Sequence, residues 1–481
     1  MREQKGIRGF ELPVVVTSAR PGLASLLLAA SDAAALTVAW WLAVQGRLLA
    51  GGVLSPELYW QLWPGTVLLV LANGLQGLYP GFGTNPVEEL RRTSASVSLV
   101  HLVAGAATFV VRGAEVYSRA VFLVAWLLAL VLVPVGRAAV RHVFCRSRWW
   151  GYPVLALGAG ETGRLVTETL RRQPGIGLRP VALLDDDPDK HGRMIDVPVA
   201  GGLDLAPVLA RDMGITYAIL AMPGVARDRL VHIIEQYGHT FHHLLVIPDL
   251  FGMSSLWVTP RDLGGTLGLE VRQTLLLPWP RRLKRLLDLV LIVASAPVLL
   301  PLVALLAVLI RMDSPGPAFY AQDRVGRGGH RIRVWKFRTM VQDADRVLER
   351  LLAGDPKMRA EWEHDHKLRD DPRLTRIGRF LRRTSLDELP QVWNVLRGEM
   401  SLVGPRPIVQ EEVKRYGERF TLYAKVTPGM TGLWQVSGRS DTSYAERVAL
   451  DTYYVRNWSV WLDLYILART LWAVPFGRGA Y

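Results

Sequence analysis

The sequence predicts a membrane protein of mixed class in three parts: a four-helix transmembrane bundle, an α/β domain, and an α-rich monotopic domain with a re-entrant membrane helix. Three observations predict this. Four apolar stretches lie between residues 23 and 135, a glycine-rich turn follows a short apolar strand, and a proline-interrupted apolar segment opens the last third. The predicted boundaries are 1–146, 147–277 and 278–481.

The composition narrows the class of protein. A mean hydropathy of +0.18 and 16 tryptophans over 481 residues exceed what a soluble chain needs. The single cysteine, Cys145, excludes a disulfide framework. A net charge of +14 suits nucleic acid, anionic lipid or a polyanionic substrate. Since the sequence contains no nucleic-acid module, we expect a membrane surface and phosphate groups as partners.

The four apolar stretches are each close to the length that spans a bilayer. Buried core helices are the alternative, and the third stretch, which contains His101, fits that alternative best. Basic residues flank the stretches, so the positive-inside rule places the amino terminus, the middle loop and everything after Arg137 in the cytoplasm. The stretches are Leu23–Val44, Tyr59–Leu78, Ala95–Val111 and Ala120–Val135; the basic residues are Arg2, Lys5, Arg8, Arg20, Arg91, Arg92, Arg137, Arg141, Arg146 and Arg148.

A second region begins after Trp150 with the strand pattern of a Rossmann-like α/β domain. The strand Val154–Leu157 leads into a G-x-G-x-x-G turn, and a second strand ends at an aspartate, where a dinucleotide fold places its ribose-binding acid. The residues concerned are Gly158, Gly160, Gly163 and Asp185. Nucleotide binding and a purely structural turn both remain open. A nucleotide-sugar dehydratase or epimerase is disfavoured, because no tyrosine has a lysine four residues later.

The apolar segment Leu286–Ile310 is long enough to cross a membrane. Both of its flanks are basic, and Pro297 and Pro301 interrupt its hydrogen-bond ladder. A re-entrant helix over 283–311 that bends at Pro297 and returns to the same face satisfies both observations. A kinked spanning helix is the alternative.

An acidic pair, Asp387 and Glu388, stands within a dense set of arginines. Neighbouring carboxylates stay ionised when a cation lies between them, which indicates phosphate and divalent-metal chemistry. The competing interpretation is a helix start, since Ser385 and Glu388 have the spacing of a capping box. The arginines are Arg376, Arg379, Arg382, Arg383, Arg397 and Arg406.

Ordered sequence blocks carry a resemblance to a known family. They are Gln322–Gly329, Trp335–Met340, Asp371–Gly378, Thr384–Gln391, Met400–Pro407, Pro428–Arg439 and Gly479–Tyr481. In these blocks the chain resembles the polyprenyl-phosphate sugar phosphotransferases, in their long form with four membrane helices and a central dinucleotide-like domain. The likeness covers essentially the whole chain and departs at the helix bend, where Ala296 replaces the usual serine before Pro297 and Ser295 lies one place earlier.

The resemblance implies a reaction. Asp387 would attack a UDP-sugar, releasing UMP, and undecaprenyl phosphate would then take the phosphosugar from the enzyme. Glu388 would help to position Mg²⁺, for which both acids would be ligands, or would assist deprotonation of the incoming phosphate. The substrate phosphates would be bound by Lys336, Arg338, Arg382 and Arg406. Lys336 and Arg338 could instead form the solvent-facing side of a strand. The resemblance further implies a homodimer in the bacterial inner membrane, with its catalytic domain on the cytoplasmic face.

The cargo and one binding loop complete the expectations. The resemblance favours galactose-1-phosphate in the first membrane step of O-antigen, capsule or exopolysaccharide synthesis; glucose-1-phosphate and N-acetylhexosamine-1-phosphate are alternatives, as is a non-catalytic nucleotide-sensing scaffold. A glycine-rich loop suited to a nucleotide or sugar contains Gly432, Trp434, Gln435 and Arg439. The mixed apolar and charged stretch Tyr453–Phe476 suits a helix in the headgroup region.

Overall fold

The computed structural model describes residues 19–52, 54–110, 117–247, 258–262, 267–271, 275, 277–354, 358–359, 371–437 and 443–476. The chain forms two compact units, Met1–Gly252 and Met253–Tyr481. The terminal block Gly479–Tyr481 lies outside the described residues.

The first unit begins with five helices. In the described residues, Pro21–Leu49 and Arg119–Phe144 are long and apolar enough to cross a membrane, as is Pro278–Asp313 in the second unit. The second predicted span, Tyr59–Leu78, is divided between two shorter helices, because Pro64 lacks an N–H and starts a new helix. The helices are α1 Pro21–Leu49, α2 Pro56–Trp60, α3 Pro64–Leu75, α4 Pro86–Val110 and α5 Arg119–Phe144.

A buried ion-pair network joins these helices. Arg137, predicted to follow the fourth span, lies inside α5 and is buried. Its guanidinium donates to Asp32 of α1 and to Glu89 of α4, both at 2.7 Å. Asn73 and Tyr79 donate to the same Asp32 carboxylate at 2.9 and 2.6 Å. Arg137 therefore joins distant helices through its carboxylate partners. Because it lies inside α5, it does not count as a loop charge for the positive-inside rule.

The α/β part of the first unit is a five-stranded parallel sheet in the order β3-β2-β1-β4-β5. Its central strands are buried along nearly their whole length, as expected of apolar parallel strands covered on both faces. The elements are β1 Tyr152–Leu157, α6 Glu161–Arg172, β2 Leu178–Leu184, β3 Val199–Gly201, α7 Ala206–Met213, β4 Tyr217–Leu220, α8 Arg227–Tyr237 and β5 His243–Val246.

The second unit combines short strand pairs with helices. The hairpin β6 Val258–Asp262 with β7 Leu267–Val271 precedes the long helix α9 Pro278–Asp313, and a second hairpin joins β8 Phe319–Val325 to β9 Arg331–Phe337. Later elements are α10 Ala344–Gly354, α11 Arg376–Thr384, the 3₁₀ helix Leu386–Gln391, α12 Val392–Arg397, β10 Ser401–Val403, α13 Val413–Tyr416, α14 Phe420–Tyr423, β11 Gly429–Thr431, α15 Leu433–Ser437, α16 Tyr444–Arg456 and α17 Val460–Phe476.

Helix α9 is buried near its two ends and largely exposed between them. Lys284 donates to Asp463 of α17 at 2.7 Å, and Ser401 of β10 donates to Asp288 at 2.7 Å. The far end packs through Leu306 and Ile310. Asp463 is thus an anchor for α9. The Ser295 hydroxyl donates to the Ile292 carbonyl at 3.0 Å, close to the carbonyls that the prolines leave without an N–H donor.

Two glycine turns pack backbone against backbone. Strands β10 and β11 pair in parallel, and a Cβ on Gly429 would lie 2.0 Å from the Gly404 nitrogen. A Cβ on Gly432 would lie 2.4 Å from the Gly404 carbonyl oxygen. Because no side chain fits there, the block Met400–Pro407 and the block that begins at Pro428 are held together at close range.

Candidate active site

The acidic pair lies against the hairpin of β8 and β9. Lys336 is opposite Tyr320 in the hairpin register. Asp387 and Glu388 occupy the first turn of the 3₁₀ helix that follows α11. The turn between the two helices depends on Ser385, whose φ of +55° is a left-handed conformation that a serine rarely adopts. Its side chain makes no cap hydrogen bond, so the predicted capping box is absent and the pair is presented to the hairpin instead.

Lys336 links the two carboxylates. Its Nζ donates to Glu388 Oε1 at 2.7 Å and lies 3.8 Å from Asp387 Oδ2. All three side chains are largely shielded from solvent. The alternative that Lys336 faces only solvent is therefore wrong, and one ammonium serves two acids.

The environment separates the two acids electrostatically. Burial raises the pKa of Asp387, and the adjacent Glu388 charge adds to this, although Lys336 opposes both. Burial also acts to raise the pKa of Glu388, but Lys336, Arg406 and Arg324 outweigh it and hold that pKa below its ordinary value. Glu388 is thus the more readily ionised member, while Asp387 is the less stabilised carboxylate and the better candidate to form a bond.

Arg382, Arg406 and Arg324 lie near the acidic pair, whereas Arg338, which was also predicted to bind phosphate, does not. Arg382 lowers the pKa of Asp387, and Arg406 and Arg324 lower that of Glu388. Arg382 also donates to Thr339 Oγ1 at 3.1 Å. Arg338 instead donates to the carbonyls of Ser314 and Pro315, at 2.6 and 2.8 Å, because β9 ends at Phe337 and the chain turns toward the end of α9. Arg338 therefore holds the end of α9, and Arg324 was missed from sequence.

A second group of polar side chains adjoins Arg406. Two guanidinium groups lie over the Trp434 ring, with Arg406 at 5.5 Å and Arg447 at 4.8 Å from its centroid. Asp451 accepts from the Tyr416 hydroxyl at 2.8 Å. Several buried atoms of this group have no hydrogen-bond partner within the described residues: Trp434 Nε1, Gln435 Oε1, Tyr444 OH, Arg447 Nε and Nη2, and Asp451 Oδ1.

Such a concentration of unsatisfied polar atoms is uncommon in a folded protein and is typical of a site that a ligand completes. Tyr444, Arg447 and Asp451 were not predicted. Their spacing of three and four residues places them on one face of α16. A helix face that combines an aromatic, a cation and an acid was the available signal. Of the predicted loop, Gly432 serves close packing, Trp434 and Gln435 belong to this group, and Arg439 lies outside the described residues.

The donor set fits Mg²⁺ only together with a phosphorylated substrate. Within the described part of the chain, no group of three or more His, Cys, Asp or Glu is placed to hold a metal ion. Mg²⁺ in proteins is commonly held by one or two carboxylates plus substrate phosphates, with water completing the shell. Asp387 and Glu388 match that pattern, and Lys336 occupies the space between them in this structure.

The glycine turn of the α/β domain is arranged differently. The Asp185 carboxylate accepts from the Ala159 N–H at 2.7 Å and from Lys190 at 3.1 Å. Burial opposes its ionisation, but these hydrogen bonds outweigh burial and lower its pKa. A Cβ on Gly163 would lie 2.0 Å from the Gly158 oxygen, whereas a Cβ on Gly160 would meet nothing within 4 Å. The predicted ribose-binding acid is therefore occupied in holding its own turn.

Known proteins resemble the chain across both units. The "UDP-galactose-lipid carrier transferase" of Erwinia amylovora is 38% identical over 371 residues, which cover 76% of this chain and 76% of that protein. The family model described as Bacterial sugar transferase matches residues 279–477. The chain belongs to the bacterial sugar transferase family. A second model, described as CoA-binding domain, matches residues 75–248.

Two further members of this family differ in the sugar that their names specify. The "Undecaprenyl-phosphate galactose phosphotransferase" of Salmonella typhimurium is 39% identical over 76% of this chain and 77% of its own length. The "UDP-glucose:undecaprenyl-phosphate glucose-1-phosphate transferase" of Escherichia coli K12 is 33% identical over 74% of this chain and 76% of its own length. The resemblance to polyprenyl-phosphate sugar phosphotransferases that the sequence blocks indicate is confirmed.

Proposed function

We propose that the protein transfers a hexose-1-phosphate from a UDP-sugar to undecaprenyl phosphate, giving undecaprenyl-diphosphate-sugar and UMP. The observation that carries this proposal is the contact of Lys336 with both Asp387 and Glu388. A nucleophilic carboxylate beside a more readily ionised one, with arginines nearby, suits phosphoryl transfer, because the positive charges offset the charge of the diphosphate.

In the first half-reaction, an Asp387 carboxylate oxygen forms a bond to the sugar-linked phosphorus. The bond from that phosphorus to the bridging oxygen breaks, and UMP leaves with the electron pair. Arg382 and Arg406 lie where they can bind the phosphate oxygens, with Arg324 beside them. When bound by Asp387 and Glu388, Mg²⁺ would supply further positive charge at the phosphates.

In the second half-reaction, a phosphate oxygen of undecaprenyl phosphate attacks the same phosphorus. The bond to Asp387 breaks, which returns the free carboxylate and completes a ping-pong cycle. Glu388 stays ionised beside the site, since the cations around it lower its pKa. Its role is to hold Lys336 in position beside the incoming phosphate.

We propose galactose as the sugar that is transferred, with glucose and N-acetylhexosamine as the alternatives. Two relatives carry galactose in their names, and another carries glucose. The Trp434 group, with its unpaired buried donors and acceptors, supports a pocket for the nucleotide or the sugar beside Arg406. This reaction would begin O-antigen, capsule or exopolysaccharide synthesis at the cytoplasmic face of the inner membrane, in a homodimer.

The experiment is UMP release by the full-length protein with Mg²⁺ and undecaprenyl phosphate. UDP-galactose, UDP-glucose and UDP-N-acetylglucosamine are compared in parallel, and Asp387→Asn is the control. Release with UDP-galactose at the highest kcat/KM, lost in the control, is the expected result. Preference for another sugar would contradict the assignment of galactose. No UMP release with any of the three UDP-sugars would contradict the proposed reaction.

We also propose that α9 is re-entrant. Its 36 residues correspond to about 54 Å of continuous helix, much more than the roughly 30 Å of a hydrocarbon core. Ile292 and Ile310, 18 residues apart, belong to apolar clusters that include Val334 and Phe337, only three residues apart on β9. A helix that returns to the face it entered from accounts for both ends packing on the same hairpin.

A single-cysteine chain tests this geometry. Met312 follows the apolar segment and is exposed, so Met312→Cys in a Cys145→Ser background gives one reactive thiol. A membrane-impermeant maleimide should label it in inverted vesicles and not in intact cells. Labelling in intact cells would establish a crossing and overturn the re-entrant helix.

A further inference from the structure

A cavity of about 190 Å³ lies at the amino-terminal end of α9 and is lined by five cationic side chains. They come from three separate segments of the second unit: Arg281, Lys284 and Arg285 of α9, Arg327 of the turn between β8 and β9, and Lys425 after α14. Among the described residues that line the cavity, Asp288 is the only carboxylate. The excess of positive charge points to an anionic ligand.

Three of the six charged groups are already engaged by the protein. Lys284 donates to Asp463 at 2.7 Å. Asp288 accepts from Ser401 and from the Leu402 N–H. Arg285 donates to the carbonyls of Val395 and Leu396, at the end of α12. These contacts fix the wall of the cavity. Asp463 balances the charge of Lys284, whereas Arg285 binds neutral carbonyls and keeps its positive charge.

Within the described part of the chain, the other three cations have no carboxylate partner. Arg281 donates to the Leu275 carbonyl at 2.8 Å. Among the residues that the structure describes, neither Arg327 nor Lys425 is within ion-pair distance of an acid. The position of the two is set by the backbone, because the Gly328 N–H donates to the Ala424 carbonyl at 2.7 Å. Like charges converging on a preformed cavity are stabilised when an anion binds between them.

This cavity is separate from the acidic pair. Tyr320, opposite Lys336, lies seven residues from Arg327, or about 23 Å along an extended strand. Asp387, Glu388 and Lys336 do not line the cavity. The hairpin therefore has the acidic pair near its open end and the cationic cavity at its turn.

The surroundings indicate which anion reaches the cavity. Trp279, two residues before Arg281, is 70% exposed, and Leu283, Leu286 and Val290 of the same helix are exposed apolar residues. An exposed tryptophan beside cations, at the start of an exposed apolar helix, is typical of the level of lipid headgroups. A phosphate at that level belongs to a membrane lipid.

We propose that this cavity binds the phosphate group of an anionic phospholipid. The site is distinct from the substrate phosphates, and it rests on the proposed membrane embedding of α9. Arg281, Arg327 and Lys425 bind the phosphate oxygens, and Thr427 lines the same wall. The bound headgroup fixes the depth at which the first turns of α9 lie in the interface.

The test measures lipid binding by the full-length protein in detergent after removal of co-purified lipid. Native mass spectrometry counts bound phosphatidylglycerol and phosphatidylcholine with the same acyl chains. The pocket variant is Arg327→Gln with Lys425→Gln. The matched control is Lys414→Gln with Arg419→Gln, which removes two exposed positive charges outside the cavity lining. Thermal unfolding of each variant confirms that it is folded.

We expect wild-type protein to prefer phosphatidylglycerol at one site. The preference should fall about thirty-fold in the pocket variant, since each cation near an anionic surface contributes a factor of about five, and persist in the control. An unchanged preference in the pocket variant would overturn the site. Stabilisation by inorganic phosphate alone, lost in the pocket variant and without any preference between the lipids, would overturn the lipid source. UMP release is not the readout, so failure here is distinct from failure of the proposed reaction.

Discussion

The α/β domain and the transferase domain both contain a glycine turn, aspartates and a lysine. They differ in how far these polar groups find hydrogen-bond partners within their own domain. In the α/β domain, Asp185 accepts from its own glycine turn and from Lys190. In the transferase domain, Asp387 and Glu388 share one lysine, and buried donors and acceptors around Trp434 lack partners within the described residues.

The difference shows how to separate a structural motif from a functional site. A polar group whose partners all lie within its own domain has little free energy to gain from a ligand. A group of buried charges with fewer partners than they need gains that free energy when substrate arrives. By this criterion we propose that the α/β domain is a scaffold and that the transferase domain contains the reaction centre.

The largest expected effect separates Asp387 from Asp185. Asp387→Asn should lower UMP release by about four orders of magnitude or more, because the nucleophile is lost. Asp185→Asn should leave kcat/KM within about twofold and cost about 1–3 kcal/mol of stability, since it weakens buried hydrogen bonds. Steady-state kinetics and thermal unfolding measure the two effects. If Asp387→Asn kept normal turnover while Glu388→Gln abolished it, the nucleophile would be Glu388.

The lysines give the next largest contrast. Lys336→Met should lower kcat/KM about 100-fold, since a positive charge at the developing transition state is removed. Lys190→Met should not change kcat/KM and should cost at most about 1 kcal/mol of stability, because that ion pair is partly exposed.

The pH profile provides a second readout for Lys336. Activity requires ionised Asp387, whose pKa is raised, so the acid limb of kcat/KM should lie above the ordinary aspartate value of about 3.9. Lys336 is the main group that lowers this pKa, and in Lys336→Met the limb should move to higher pH. An acid limb unmoved by the substitution would show that another group controls it.

Glycine substitutions compare the packing of the two domains. Gly163→Ala and Gly429→Ala should each destabilise the protein by about 1–3 kcal/mol, because the new Cβ would lie 2.0 Å from backbone atoms. Gly429→Ala should also raise the KM for UDP-sugar, whereas Gly163→Ala should not. Gly160→Ala, in open space, is the control and should change stability by less than about 0.5 kcal/mol. A selective rise in that KM for Gly160→Ala would give the α/β domain a substrate role.

The sequence predicted those features that depend on neighbouring residues. The parallel strands, the glycine turn at Gly158 and the acid pair with its arginines follow from local pattern and block order. Lys336 could be named, but its partner could not, since the contact with Glu388 spans 52 positions of the chain. Such pairing depends on how distant elements pack, which no local pattern contains.

The errors have the same physical origin. The sequence predicts that Arg137 is a loop cation, but in the structure it binds Asp32, 105 positions away. Arg338 follows Lys336 by two residues, which would place both side chains on one face of a strand. However, β9 ends at Phe337, and the Arg338 guanidinium donates to the Ser314 carbonyl instead. Arg447 shares a helix face with Tyr444 and Asp451, but the sequence could not show its contacts with Trp434 and Glu412, which come from other elements.

The smallest expected effect concerns Asp451, a member of the Trp434 group. Burial raises its pKa to about 7, against about 3.9 when unfolded. The folded protein therefore keeps a proton that the unfolded chain releases between pH 4 and 7, so this group's contribution to stability falls as pH rises through that range. Asp451→Asn removes the titration, and its melting temperature should depend less on pH than that of wild type.

Thermal unfolding from pH 5 to 8 measures this difference, with Asp185→Asn as the matched control from the domain whose acid is internally satisfied. Because the pKa of Asp185 is lowered, its contribution to stability is present above pH 4 and constant from pH 5 upward. That control should therefore run parallel to wild type. Equal pH slopes for Asp451→Asn and wild type would mean that Asp451 is ionised throughout, and that the Trp434 group already contains its compensating charge in Arg447.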